Sequence, residues 1–110
     1  MKLVTAILRA EQLPAVKLAL HEAQIKHLTA TTVLGTAPKS EQQMDRGVHR
    51  KMSLFKRVRV EVAVSDDRLE VAMQAIADGA RRSGGYGRIL VTELVDVMTI
   101  WTGERGPSTL

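Results

Sequence analysis

The chain has 110 residues and a mass of 12.1 kDa, with 45% hydrophobic and 25% charged residues; this is enough for one domain around one core and excludes a multidomain enzyme. Sixteen basic against twelve acidic residues leave a net charge of +4, which points to an anionic partner: nucleic acid, a phosphorylated ligand or an acidic protein surface. The absence of cysteine excludes disulfide frameworks, thiolate metal sites and cysteine nucleophiles. No apolar run nears the roughly 20 residues that span a bilayer, and Met1 to Ala10 lacks a signal-peptide layout, so a cytoplasmic location is expected.

In chain order, Lys2 to Arg9 is apolar and β-branched and predicts a strand buried on both faces. From Glu11 the spacing becomes helical, with Leu13, Val16, Leu20 and Ala23 on one side and Pro14 in the first turn, and the helix is expected to end near Gln24. Ile25 to Gly35 predicts a second strand. Gly35 to Arg57 carries a net charge of +4, against +2 before it and −2 after it, and its weak apolar periodicity predicts a long basic loop. Arg57 to Val64 alternates strictly, with Val58, Val60, Val62 and Val64 on one face. Ser65, Asp66 and Asp67 are the expected caps of a second helix reaching about Arg82. A glycine-rich turn, Ser83 to Gly87, leads to a strand from Arg88 to Leu94. Val97 to Trp101 predicts a short final strand, and residues 106–110 a flexible tail. The order is that of the ferredoxin-like βαββαβ split unit, an α+β fold in which one sheet face needs a cover that oligomerisation can supply.

Among chemical motifs, the turn at 83–88 is the strongest. Its glycines allow backbone N–H groups to converge on an anion, with Arg88 adding charge, although from spacing alone a plain helix-to-strand turn is the better reading. His21, His27 and His49 lack metal-ligand spacing, so no metal is assigned. No nucleophile–base pair is present, and Glu61 is an isolated carboxylate on a strand, so no enzyme is expected. The three aromatic residues, Phe55, Tyr86 and Trp101, are too few for an RNA-stacking sheet, which leaves a basic RNA-binding module as the runner-up reading.

With Ile7, Thr29, Gly35, Val58 to Val64, Asp66-Asp67, Gly87-Arg88-Ile89 and Thr102-Gly103-Glu104 in place, the chain resembles the PII signal-transduction family over nearly its whole length. The resemblance implies a single domain over 1–110 that assembles as a homotrimer, sheet against sheet. It further implies a T-loop at about 36–56 that docks on a target such as a membrane transporter or metabolic regulator. Adenine nucleotide would bind between subunits, where the T-loop base, a B-loop at about 82–88 and a C-loop at about 99–105 meet. By position, Ile7, Thr29, Gly35, Glu61 and Ala63 would line the cleft, with Thr36, Arg57, Thr102 and Arg105 beside it and Gly85, Gly87 and Arg88 on the phosphates.

Departures from the family pattern sharpen the expectation. Arg50 and Val48 stand at the family's modified tyrosine and serine, and Pro38 or Lys39 at its effector-binding glutamine. The B-loop is one residue short, and Thr99 and Trp101 replace two phosphate-contacting arginines, with Arg105 close by in sequence. ADP or AMP is therefore expected to be favoured over ATP. Members diverging in this way resemble those tied to inorganic-carbon uptake, in which case bicarbonate is a further ligand and Arg57, Arg88 and Arg105 are its available donors. Trp101 reads as a core or interface anchor rather than an adenine stack.

Overall fold

The computed structural model describes residues 1–37 and 53–110. Four strands, β1 (Lys2–Leu8), β2 (Thr29–Gly35), β3 (Phe55–Val64) and β4 (Arg88–Glu93), form one antiparallel sheet in the order β2-β3-β1-β4, and α1 (Leu13–Glu22) and α2 (Leu69–Arg81) cover one face. This is the expected ferredoxin-like α+β arrangement. Residues 38–52 of the expected T-loop, including Pro38, Lys39, Val48, His49 and Arg50, lie outside the described residues.

The core follows from the period of two. Val4, Ala6 and Leu8 of β1 and Val58, Val60, Val62 and Val64 of β3 point under the helices and meet Val16 and Leu20 of α1 and Ala72, Ile76 and Ala80 of α2. The two helices approach so closely at Gly79 that a Cβ there would lie 2.7 Å from Val16 Cα and 2.9 Å from the Ala15 carbonyl oxygen. Gln12, at this end of the molecule, is a fully buried polar residue. Its Oε1 accepts the Arg9 N–H at 2.8 Å, and its Nε2 donates to the Ala80 carbonyl at 3.1 Å, so the end of β1 is tied to the last turn of α2 without an orphaned polar atom.

Several boundaries differ from the sequence expectation, each for a local reason. α1 is entered through a 3-10 turn at Ala10–Gln12 and stops at Glu22 because Gln24 turns left-handed, φ 64°, letting Ile25 N–H donate to the Leu20 carbonyl and bury its side chain. The second strand therefore starts at Thr29, not Ile25. β3 begins two residues earlier than expected and brings Phe55 into the sheet. Ser65 makes no side-chain cap, and Asp66 instead pairs with the Met1 amino group at 2.8 Å and with Lys2 at 3.6 Å.

The expected final strand at Val97 to Trp101 does not form. Residues 97–106 close on themselves: Thr99 N–H donates to Glu104 O, Gly103 N–H to Thr99 O and Gly106 N–H to Val97 O, leaving one isolated bridge, Met98 to Arg105. With those backbone groups satisfied inside the turn, the segment adds no strand to the sheet. Residues Pro107–Thr109, expected as a tail, make a single 3-10 turn.

Because backbone rather than side-chain ends face Gly79, the neighbours cannot yield. Gly79→Ala is expected to destabilise the chain by about 1–3 kcal/mol. In a thermal melt followed by circular dichroism this appears as a drop of roughly 4 °C or more per kcal/mol.

Candidate functional site

The face of the sheet away from the helices carries seven of the twelve site residues expected from sequence. Antiparallel register places Ile7 between Arg59 on β3 and Arg88 on β4, Thr5 between Glu61 and Leu90, and Leu3 between Ala63 and Thr92. On the other side of β3, Thr29 faces Glu61, Thr31 faces Arg59 and Val33 faces Arg57, with Gly35 and exposed Thr36 at the strand's end. Ile7, Thr29, Gly35, Arg57, Glu61, Ala63 and Arg88 thus share one surface. Its charge is lopsided: Arg57, Arg59 and Arg88 stand against Glu61, the single carboxylate among the described positions of this face. Glu61 is itself engaged, accepting the Thr5 hydroxyl at 3.4 Å and lying 3.9 Å from Arg59 Nε. Those contacts suit a positioned acceptor more than a general base.

The glycine-rich turn closes one end of this surface. Gly87 sits directly on β1, where a Cβ would fall 2.7 Å from the Ile7 carbonyl oxygen and 2.9 Å from Leu8 Cδ2, and its φ of 131° disfavours any other residue. Gly85 N–H donates to the Ala80 carbonyl at 2.9 Å, as Ser83 N–H does at 3.1 Å, which finishes α2. That commitment changes how the turn works. It follows a helix C-terminus, the negative end of the macrodipole, so the helix itself lends an anion no attraction here.

Tyr86 joins the turn to two of those cations. The Arg9 guanidinium carbon lies 4.5 Å from the Tyr86 ring centroid and that of Arg57 lies 4.8 Å from it, with Arg57 also 5.5 Å from the Phe55 centroid. Arg57 is buried and donates to the Lys56 carbonyl at 2.9 Å. The glycine turn and the base of the long loop therefore meet through one aromatic ring.

Thr102 and Arg105 stand apart from these residues. The Thr102 hydroxyl accepts the Glu104 N–H at 3.1 Å, and Arg105 pairs with Asp96, its Nε 3.0 Å from Oδ2. Neither makes a hydrogen bond or ion pair to the sheet-face residues among those described. Trp101 and Ile100 project beside them, 87% and 90% exposed, so Trp101 is not a core residue.

This fold, register and turn can be set beside known proteins. The family model described as nitrogen regulatory protein P-II matches residues 1–104. The chain belongs to the P-II family. Relatives agree along their lengths: the chain is 37% identical to nitrogen regulatory protein GlnK1 of Methanosarcina mazei over 114 residues, covering all of this chain and 97% of that one. It is 38% identical to nitrogen regulatory protein P-II 1 of Methanothermobacter thermautotrophicus over 112 residues, 96% and 94% of the two chains. It is 34% identical to nitrogen regulatory protein GlnK of Escherichia coli over 112 residues, the whole of both.

Arg9, Arg59, Tyr86 and Gln12 of this P-II chain are not among the site residues expected from sequence. Arg59 was visible as a basic residue on the alternate face of β3. The other three carry no spacing signal, because the strand pairing and the helix packing bring them together.

The Asp96–Arg105 pair yields a pH prediction. The Arg105 guanidinium and the Val97 N–H, at 2.8 Å, both bond the Asp96 carboxylate and hold its pKa below the usual range. A lowered pKa means the contact is whole above the ordinary carboxylate range and is lost as pH falls through the lowered value. Carbon-detected NMR titration should find Asp96 below that range and Arg105→Gln should move it back up.

Proposed function

We propose that this P-II chain is a non-enzymatic regulator that binds adenine nucleotide on its open sheet face and signals to a target protein through the loop at 36–56. The observation that carries this reading is the convergence of Arg57, Arg59 and Arg88 around Ile7, next to Gly87, on a face whose one described carboxylate is Glu61 and whose other residues are apolar or hydroxylated. Guanidinium groups recognise phosphate oxygens in pairs, and Ile7 and Ala63 offer an apolar bed for a base. Ligand occupancy would bias the loop whose ends are Gly35 and Phe55, because Arg57 reaches both that base and the glycine turn through Tyr86.

Three finer parts belong to the same proposal. The open face, and the exposed Val95, Ile100 and Trp101, are covered in a homotrimer, so the cleft is completed by a neighbouring subunit. ADP or AMP is favoured over ATP, since Thr99 spends its N–H on Glu104 and Trp101 carries no charge to meet an outermost phosphate. The target is a membrane transporter or metabolic regulator of the cytoplasm. The names of the relatives attach to nitrogen regulation, and this chain is read the same way; bicarbonate and 2-oxoglutarate are co-ligands to be tried in the titration. Among the described residues no helix is long and apolar enough to cross a membrane. The RNA-binding alternative gains no support: the open face of β3 and β4 presents Phe55 alone as a ring, and Arg57 stacks over it.

Calorimetric titration with ADP, AMP and ATP tests the reading, and the absence of heat with every nucleotide overturns it. Arg88→Ala should weaken ADP roughly 10- to 150-fold, the worth of one charge-assisted contact at about 1.5–3 kcal/mol. Light scattering should give three times the mass of one chain. In that assembly Trp101 fluorescence should resist iodide quenching.

A further inference from the structure

We propose that Arg9 is a phosphate-binding residue of this cleft and that Tyr86 is the residue that positions it, so that this pair supplies a cationic contact where Thr99 and Trp101 supply none. The inference rests on the nucleotide reading above and names the contact that tunes it.

The first support is placement. Leu8 faces Val58 across the β1–β3 ladder and Ile7 faces Arg88 across the β1–β4 ladder. Arg9, the next residue along, therefore leaves the sheet at the end that holds Arg57 and Arg88. Ends of three adjacent strands thus bring three guanidinium groups to the rim of the glycine turn.

The second is the shared ring. Arg9 and Arg57 both lie within about 5 Å of the Tyr86 centroid, so two like charges are held close to each other by an uncharged aromatic surface. An oxyanion placed beside that stack meets two guanidiniums already gathered on one ring, a form of pre-organisation for anion recognition. Stacking also fixes the plane of a guanidinium, and the plane sets which N–H pair faces a phosphate.

The third is the anchor. Arg9 N–H donates to Gln12 Oε1, and Gln12 Nε2 donates to the Ala80 carbonyl, the same oxygen that accepts Gly85 N–H. One buried amide therefore sets the position of the Arg9 backbone relative to the glycine turn. Arg9 and the turn are parts of one rigid corner, although seventy-odd residues separate them in sequence.

The test uses the full chain and compares ADP with adenosine, which has the base and ribose but no phosphate. Arg9→Gln should lower ADP affinity about tenfold, leave adenosine affinity unchanged, and flatten the dependence of ADP binding on salt. Tyr86→Leu should reproduce that loss, whereas Tyr86→Phe, which keeps the ring, should bind as the unaltered chain does. If Arg9→Gln and Tyr86→Leu bind ADP normally, the assignment is wrong. It is equally wrong if they lose ADP and adenosine together, because that pattern marks a structural role. Failure of the unaltered chain to bind any nucleotide overturns both this assignment and the function on which it rests, and so separates the two failures.

Discussion

β1 is hydrogen-bonded along both edges, and this double pairing is the constraint from which the rest of the molecule follows. Its period of two sends Val4, Ala6 and Leu8 beneath the helices and Leu3, Thr5 and Ile7 to the opposite face, and the ladders then dictate which residues of β3 and β4 stand beside each. A slip of one residue would exchange the faces, placing Arg59 and Glu61 among the valines. Burial of four valines on β3 opposes that slip, so the same packing that stabilises the core also fixes the row Arg59–Ile7–Arg88.

The corner formed by Arg9, Gln12, Ala80 and Gly85 adds a second level of order. Leaving a fully buried amide unsatisfied costs more than its bonds return, so Gln12 holds its geometry strictly once the helices have packed. Gly79 permits that packing and Gly87 permits the turn to rest on β1. Two glycines and one glutamine thus carry a positional accuracy that no charged residue of the site provides for itself.

Much of this was legible in the sequence, and the parts that were not share a cause. The alternation of Val58 to Val64, the helical spacing of Leu13, Val16 and Leu20, and the glycine turn announce the fold because each signal is local. Ile7, Thr29, Glu61 and Arg88 were brought together only by the family resemblance, since they lie on four different strands, and it is the ladders that put them on one face. Trp101 and its neighbours resemble a strand by composition, but a strand exists through a partner, and the turn satisfied its own backbone first. Arg105 looked available beside the phosphate region, yet Asp96, nine residues earlier, holds it. The Arg9–Tyr86–Arg57 stack joins three separate segments, so only tertiary structure reveals it.

The self-closed turn at 97–106 has a consequence for how chains meet. Its backbone bonds and the Asp96–Arg105 clamp are complete within one molecule, while Val95, Ile100 and Trp101 stand outward. A surface already shaped before contact loses little chain entropy on association. Any contact built on this turn is therefore a docking of finished parts, with no folding step left to complete.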